Sequence, residues 1–234
     1  MNQDKFIEEL TKLGITLTSK QQQQLHIYYE LLVEWNKVMN LTNIIEQEAV
    51  YLKHFYDSLT ITKVYNLNQT LLLCDIGTGA GFPGLVLKIV FPNLNVTLID
   101  SLNKRITFLN TVIQKLELVG IKTIHARIED YGQKNRELYD IVTARAVAPL
   151  NILLEYCIPL LKIQGHFIPL KGNLENELIQ SKNALNQLNC KIIQSESFKL
   201  PIEDSNRTIL KIQKLKKTSE RFPRKYSEIK RNPL

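Results

Sequence analysis

The chain has 234 residues, 44% of them apolar and 23% charged, enough to bury a full core and too hydrophobic for disorder throughout. No apolar stretch reaches the roughly 18 to 20 residues of a membrane span, and the start MNQDKFIEEL lacks the basic-then-apolar pattern of a secretory signal, so a cytoplasmic protein is expected. The formal charge of +7 is confined to one end: residues 1–210 balance 21 Lys+Arg against 21 Asp+Glu, and residues 211–234 hold nine basic residues against Glu220 and Glu228.

Residues 4–13 predict a short amphipathic helix ended by Gly14, and Ser19 a cap for a longer helix through about Met39. On the second, Leu25, Tyr28, Leu32, Trp35 and Met39 recur at three- and four-residue steps and form a stripe that needs a partner surface. Asn40-Leu41-Thr42-Asn43 reads as a turn and residues 46–63 as a third helical stretch, so residues 1–65 form a helical cap. His54 and Asp57 stand at i and i+3 within it, a spacing that lets them bond across a turn; they read as packing and capping residues.

From Leu71 the period changes. LLLCDI, NVTLID, KTIHAR, YDIVTARAV and GHFIPLKG read as strands, and helical runs alternate with them (from about 104 to 119, near 150–161 and near 174–188), which predicts a parallel sheet. KIIQSESFKL and RTILKIQKL follow one another across PIEDSN and are expected to pair antiparallel. Seven strands closing with a hairpin is the count of a Rossmann-like methyltransferase fold, here spanning 66–215 and leaving 216–234 as a basic tail. Phe222 and Tyr226 between its lysines and arginines suit phosphate contact and base stacking, against the alternative of a solvated tail that binds nothing. Cys74, Cys157 and Cys190 show no CxxC spacing and the four histidines are scattered, so buried thiols are expected and no metal site.

The segment Asp75-Ile76-Gly77-Thr78-Gly79-Ala80-Gly81-Phe82-Pro83-Gly84 lies between a strand and a helix and reads as a ligand loop. Gly79, Gly81 and Gly84 satisfy GxGxxG, but that match begins beyond the strand end, where a dinucleotide fingerprint should begin directly after it. Asp75 is expected to face the site. Its charge would repel a pyrophosphate and attract the amino and sulfonium end of S-adenosyl-L-methionine. Asp100, at the end of the second strand, suits hydrogen bonds to ribose hydroxyls of either cofactor, or the capping of the next helix. Ile128-Glu129-Asp130 falls where a loop would meet an adenine edge, or is an exposed acidic turn.

Taken together, EWNKVMNLTNI (34–44), HFYDSL (54–59), DIGTGAGFPG (75–84), LIDSLNKRITFL (98–109), TARAVAPL (143–150), PLKG (169–172) and FPRK (222–225) resemble the RsmG (GidB) family of bacterial ribosomal RNA methyltransferases. The resemblance implies S-adenosyl-L-methionine as methyl donor, N7 of a guanine near the decoding centre of 16S rRNA as acceptor, and the rRNA or the small ribosomal subunit as partner; a monomer is expected. Carried over by position, cofactor contacts fall on Gly77, Phe82, Ile128, Glu129 and Arg145. After Pro223-Arg224-Lys225 the chain reads Tyr-Ser-Glu-Ile, where the family has a Gly-Thr-Pro-like segment. Guanine N7 carries a lone pair and no proton, so no general base is required and no proton-transfer residue is assigned. Arg145 and Lys171, at strand ends, are candidates for positioning the substrate through O6 or phosphate, with a solvated strand-end lysine the alternative for Lys171. A nicotinamide-dependent oxidoreductase, a non-catalytic RNA-binding protein and a methyltransferase acting on another acceptor are the competing readings.

Overall fold

In the computed structural model, which describes residues 1–172 and 174–234, the cap opens with α1 (Gln3–Lys12), begun by Asn2 and ended by Gly14 at φ 72°. α2 (Ser19–Met39) is capped by Thr18 rather than Ser19: the Thr18 hydroxyl accepts from Gln21 N at 3.2 Å, and the Gln21 side chain accepts from Thr18 N at 2.9 Å. Asn40 ends it in the left-handed region.

The stripe on α2 finds its surface. Leu25, Tyr28 and Leu32 are at most 1% exposed, in one cluster with residues of the sheet and of two helices beside it. Gln21 donates to the carbonyls of Ile89 and Val90 (3.0 and 2.9 Å) and Gln24 to that of Leu116 (2.9 Å). These are C-terminal carbonyls that both helices leave unsatisfied, so α2 is bonded to the ends of the elements it covers.

Residues 46–63 are helical, but not as one α-helix. α3 (Gln47–Val50) widens into a π-helical turn (Tyr51–Tyr56), followed by α4 (Asp57–Leu59) and a 3-10 turn (Thr60–Lys63). The changed winding alters which side chains share a face. His54 and Asp57 accordingly do not bond each other across a turn; both engage Arg145.

β1 (Leu72–Ile76) is buried at four of its five positions, as a strand covered on both faces must be. α5 (Gly84–Val90), β2 (Asn95–Asp100), α6 (Asn103–Lys115), β3 (Ile121–His125), α7 (Ile128–Lys134), β4 (Tyr139–Arg145), α8 (Leu150–Cys157) and β5 (Leu161–Lys171) follow in alternation. Then come α9 (Glu175–Gln180), α10 (Lys182–Gln187), β6 (Cys190–Lys199) and β7 (Asn206–Lys214). The single helix expected near 174–188 breaks at Ser181, whose hydroxyl donates back to the Glu177 carbonyl at 2.6 Å. The strands form one seven-stranded sheet in the order β3-β2-β1-β4-β5-β7-β6. The first five are parallel, and β7 lies antiparallel between β5 and β6. This is the Rossmann-like methyltransferase arrangement expected, with β7, the second strand of the hairpin, inserted beside β5. Among the described residues no helix is long and apolar enough to cross a membrane.

A second apolar cluster covers the other face of the sheet and includes Leu153, Leu154, Ala184, Phe222 and Ile229. The last two pack the basic tail against the sheet, so Phe222 is a core residue and not a ring free to stack on bases. Lys214 is fully buried, donating to the Leu161 carbonyl at 2.8 Å and pairing with Glu137 at 3.2 Å. Phe222 and Ile229 are 1% exposed, and the segment ends in α11 (Tyr226–Arg231). Apolar burial outweighs repulsion among its cations because most of those cations stay at the surface.

Leu32 is fully buried where cap and sheet share one core. Leu32→Ala should therefore cost about 3 kcal/mol in urea unfolding. The fluorescence of Trp35, the single tryptophan and a cap residue, should report the same transition as far-UV circular dichroism.

Candidate active site

Two clefts open at the carboxyl edge of the sheet, around the position between β1 and β4 where the chain order reverses. The first encloses about 410 Å³ and takes its walls from the ends of β1 and β2, the start of α7 and the segment after β4. Gly77 begins the glycine loop at φ 61°, and a Cβ there would stand 2.7 Å from a methyl of Val147 on the opposite wall. Gly81, at φ 104°, lies under the cap: a Cβ would stand 2.6 Å from the Tyr28 hydroxyl, which donates to the Ala80 carbonyl of the same loop. The glycines thus keep one side of the loop open to the cleft and let the other pack on α2.

Asp100, 2% exposed, lines this cleft. Its Oδ2 accepts from Gly79 N at 2.9 Å and from Arg105 at 3.1 Å, and its Oδ1 accepts from Leu102 N at 2.9 Å. It ties the glycine loop and Arg105 to the backbone that enters α6. Ile128 and Glu129 line the same cleft, in the first turn of α7 rather than in a loop, with Glu129 5% exposed. Glu129 is therefore not part of an exposed acidic turn. Its nearest cation is Arg127, at 3.7 Å.

Asp75 stands elsewhere than expected. It is fully buried beneath the loop, outside the cleft wall, where Oδ2 accepts from the Thr78 hydroxyl at 2.7 Å and from Gly84 N at 2.8 Å. Its Oδ1 has no hydrogen-bond partner, and burial pushes the carboxyl up to about 7. It shapes the loop from below. Phe82 also lies outside the cleft, 6% exposed in an aromatic column with His54 at 4.4 Å and Tyr28 at 5.5 Å between ring centroids.

Arg145 belongs to the second cleft, of about 370 Å³, together with Lys53, His54, Asp57, Lys171 and Arg207. Its guanidinium donates to the Lys53 carbonyl (2.8 Å), to Asp57 Oδ2 (2.9 Å) and to His54 Nδ1 (3.1 Å), above the face of Phe82 at 5.2 Å. His54 Nδ1 stands between the Arg145 guanidinium, which can only donate, and the Lys53 carbonyl at 3.2 Å, which can only accept, while Nε2 faces the Thr42 hydroxyl at 3.0 Å. Burial and the Arg145 charge bring His54 down to about 3, and it is a neutral imidazole at working pH. Asp57 Oδ1 takes a second guanidinium, Arg207, at 2.9 Å. Lys171 is not a solvated strand-end lysine: it bonds the Ala148 carbonyl at 3.0 Å and Glu177 at 2.8 Å. With four cations against Asp57 and Glu177, the lining carries a net charge of +2.

The two clefts are neighbours. Ala146 lines the second, Val147 and Ala148 line the first, and Ala146 is held at φ 56°, an uncommon conformation for a residue with a Cβ. Arg207, Lys53 and Thr42 escaped the sequence reading because each is an isolated polar residue whose partners lie on other elements.

The raised Asp75 carboxyl has a sign that can be checked. Between the ordinary value of 3.8 and about 7 the folded chain keeps a proton that the unfolded chain has released, so Asp75 makes stability fall as pH rises through that window. Asp75→Asn removes this contribution. Urea unfolding should show the variant gaining on the parent chain by a few kcal/mol between pH 4 and pH 8, and a constant difference would contradict the burial of an ionising carboxyl.

Comparison with known proteins agrees with this geometry. Residues 21–206 match the family described as rRNA small subunit methyltransferase G. The ribosomal RNA small subunit methyltransferase G of Lysinibacillus sphaericus is 48% identical over 237 residues, covering 100% of both chains. That of Bacillus thuringiensis is 51% identical over 228 residues, 96% of this chain and 95% of the relative. Among solved structures, a SAM-dependent methyltransferase from Aquifex aeolicus superposes with a TM-score of 0.55 at 15% identity, over 74% of this chain and 97% of that one. M. jannaschii TYW2 in complex with AdoMet superposes with a TM-score of 0.53 at 18% identity, over 63% and 71%. These two share the fold. The nicotinamide and non-catalytic readings give way, and the chain belongs to the rRNA small subunit methyltransferase G family.

Proposed function

We propose that the first cleft binds S-adenosyl-L-methionine and that the second admits a guanine of 16S rRNA, near the decoding centre, for methylation at N7. The observation that carries this reading is the pairing of a nucleoside-sized cleft with a cationic one across the short segment that follows β4. The first suits the donor on three counts. A Cβ at Gly77 would intrude on it, Asp100 stands at the strand end where ribose hydroxyls need acceptors, and Glu129 offers a buried carboxylate to an adenine amino group. The volume lies within the range of small-molecule sites.

When bound, the donor supplies an electrophilic methyl carbon on a sulfonium, and N7 needs no deprotonation to receive it. The protein's work is then orientation, worth up to roughly 7 to 11 kcal/mol in favourable cases. His54 fits such a site, since both of its ring nitrogens are engaged and it stays uncharged. Arg145, held on three sides, is positioned to donate to guanine O6 or to phosphate, and Arg207 and Lys171 extend the cationic lining.

The test uses labelled S-adenosyl-L-methionine and rRNA from a strain lacking the gene, supplied free and as assembled subunits. After digestion to nucleosides the label should appear in 7-methylguanosine; label in another nucleoside, or none in either substrate, overturns the reading. Arg145→Ala should lower kcat/KM for the RNA by about a hundredfold or more, with donor affinity little changed. Unchanged transfer would remove Arg145 from the acceptor side.

A further inference from the structure

The C-terminal segment reaches the first cleft from outside the sheet. Tyr226, Ile229 and Lys230, all on α11, line that cleft beside Ile128, Glu129 and Tyr156. None of the three belongs to the motifs that suggest a donor site, and Tyr226 falls where the chain departs from the ending of the family it resembles. We infer that α11 is the outer wall of the methyl-donor cleft, with Tyr226 the ring against which the donor's base packs and the Arg224–Glu155 ion pair the latch that holds it there. This rests on the proposed assignment of the first cleft to S-adenosyl-L-methionine.

Burial and geometry carry the inference. Glu155, on α8, is fully buried and takes three bonds from Arg224: backbone N to Oε1 at 2.9 Å, Nε to Oε1 at 2.8 Å and a terminal nitrogen to Oε2 at 2.6 Å. Arg136 donates to the carbonyls of Thr218, Ser219 and Phe222, so the approach to the latch is fixed as well. Pro223 packs on Gly132 of α7, where a Cβ would meet its ring at 3.1 Å. Held at these points, the chain can place a Tyr226 that is 45% exposed, with the Arg127 guanidinium over its ring at 5.3 Å. Ile229 beside it is 1% exposed and anchors the helix in the core. A half-free ring at the mouth of a cleft whose inner wall carries Ile128 and a buried carboxylate is the arrangement that stacks on a flat base while its amino edge is read by the acid.

The latch makes docking of α11 and uptake of the donor mutually dependent: whatever favours one favours the other. Lys225, Lys230 and Arg231 remain exposed on the docked segment, so its cations sit at the rim of the donor cleft.

Titration calorimetry of the full chain with S-adenosylhomocysteine tests this without relying on turnover. Tyr226→Ala should weaken binding about tenfold or more, as loss of one base–aromatic stack does, and Tyr226→Phe should not. Glu155→Gln, which loosens the latch outside the cleft wall, should shift affinity the same way and raise the donor KM while kcat at saturating donor holds. If Tyr226→Ala binds as tightly as the parent chain, α11 is not a wall of the site and the inference falls. If Glu155→Gln leaves affinity unchanged, the latch falls. Failure of the parent chain itself to bind would instead overturn the assignment of the cleft.

Discussion

Asp57 stands 4% exposed between two guanidinium groups that come from separate strands, Arg145 at the end of β4 and Arg207 in β7. The carboxylate belongs to the cap and the arginines belong to the sheet, so this one residue registers the first against the second. Removing a partner from such a buried pair leaves an uncompensated charge and costs about 3 to 5 kcal/mol. The rest of the sheet's carboxyl edge hangs on that registration. Arg145 contacts His54 Nδ1, His54 stacks on Phe82, Phe82 stacks on Tyr28, and Tyr28 holds the glycine loop through the Ala80 carbonyl. A polar contact at one cleft is thereby transmitted through packed rings to the loop that forms the other.

The fold was readable where the physics is local. Apolar runs that alternate with helical ones announce a parallel sheet, and the short spacer PIEDSN announces a hairpin, because both follow from chain connectivity. The placement of β7 inside β6 was not readable, since it depends on how β5 pairs across long sequence distance. Helix lengths were read too generously: the run through Val119 ends at Lys115, and the one near 174–188 breaks at Ser181.

The site was legible in part for the same reason. Gly77, Asp100, Ile128 and Glu129 line the first cleft because position after a strand is enough to bring a residue to the carboxyl edge. Asp75 shares that position in sequence, but strand alternation turns its side chain under the loop and into the core, where it bonds Thr78 and Gly84. His54 and Asp57 read in the sequence as packing and capping residues because a π-helical turn leaves no mark in spacing, and without it their shared target is hidden. The basic tail misled by composition. Its seven cations suggest a phosphate-gripping arm, while four apolar or paired residues, Phe222, Pro223, Arg224 and Ile229, decide where it goes.

The two clefts meet along the chain after β4, where Ala146 lines one and its successors Val147 and Ala148 line the other. On the proposed assignment of the clefts, a small molecule carrying a nucleoside on one arm and a purine on the other would span this junction and occupy both halves at once. Each arm would raise the local concentration of the other, so two weak fragments would combine into a tight inhibitor. Because the second half joins cap to sheet through its Arg145–Asp57–Arg207 bridge, such a compound would discriminate against enzymes that share the sheet but not the cap.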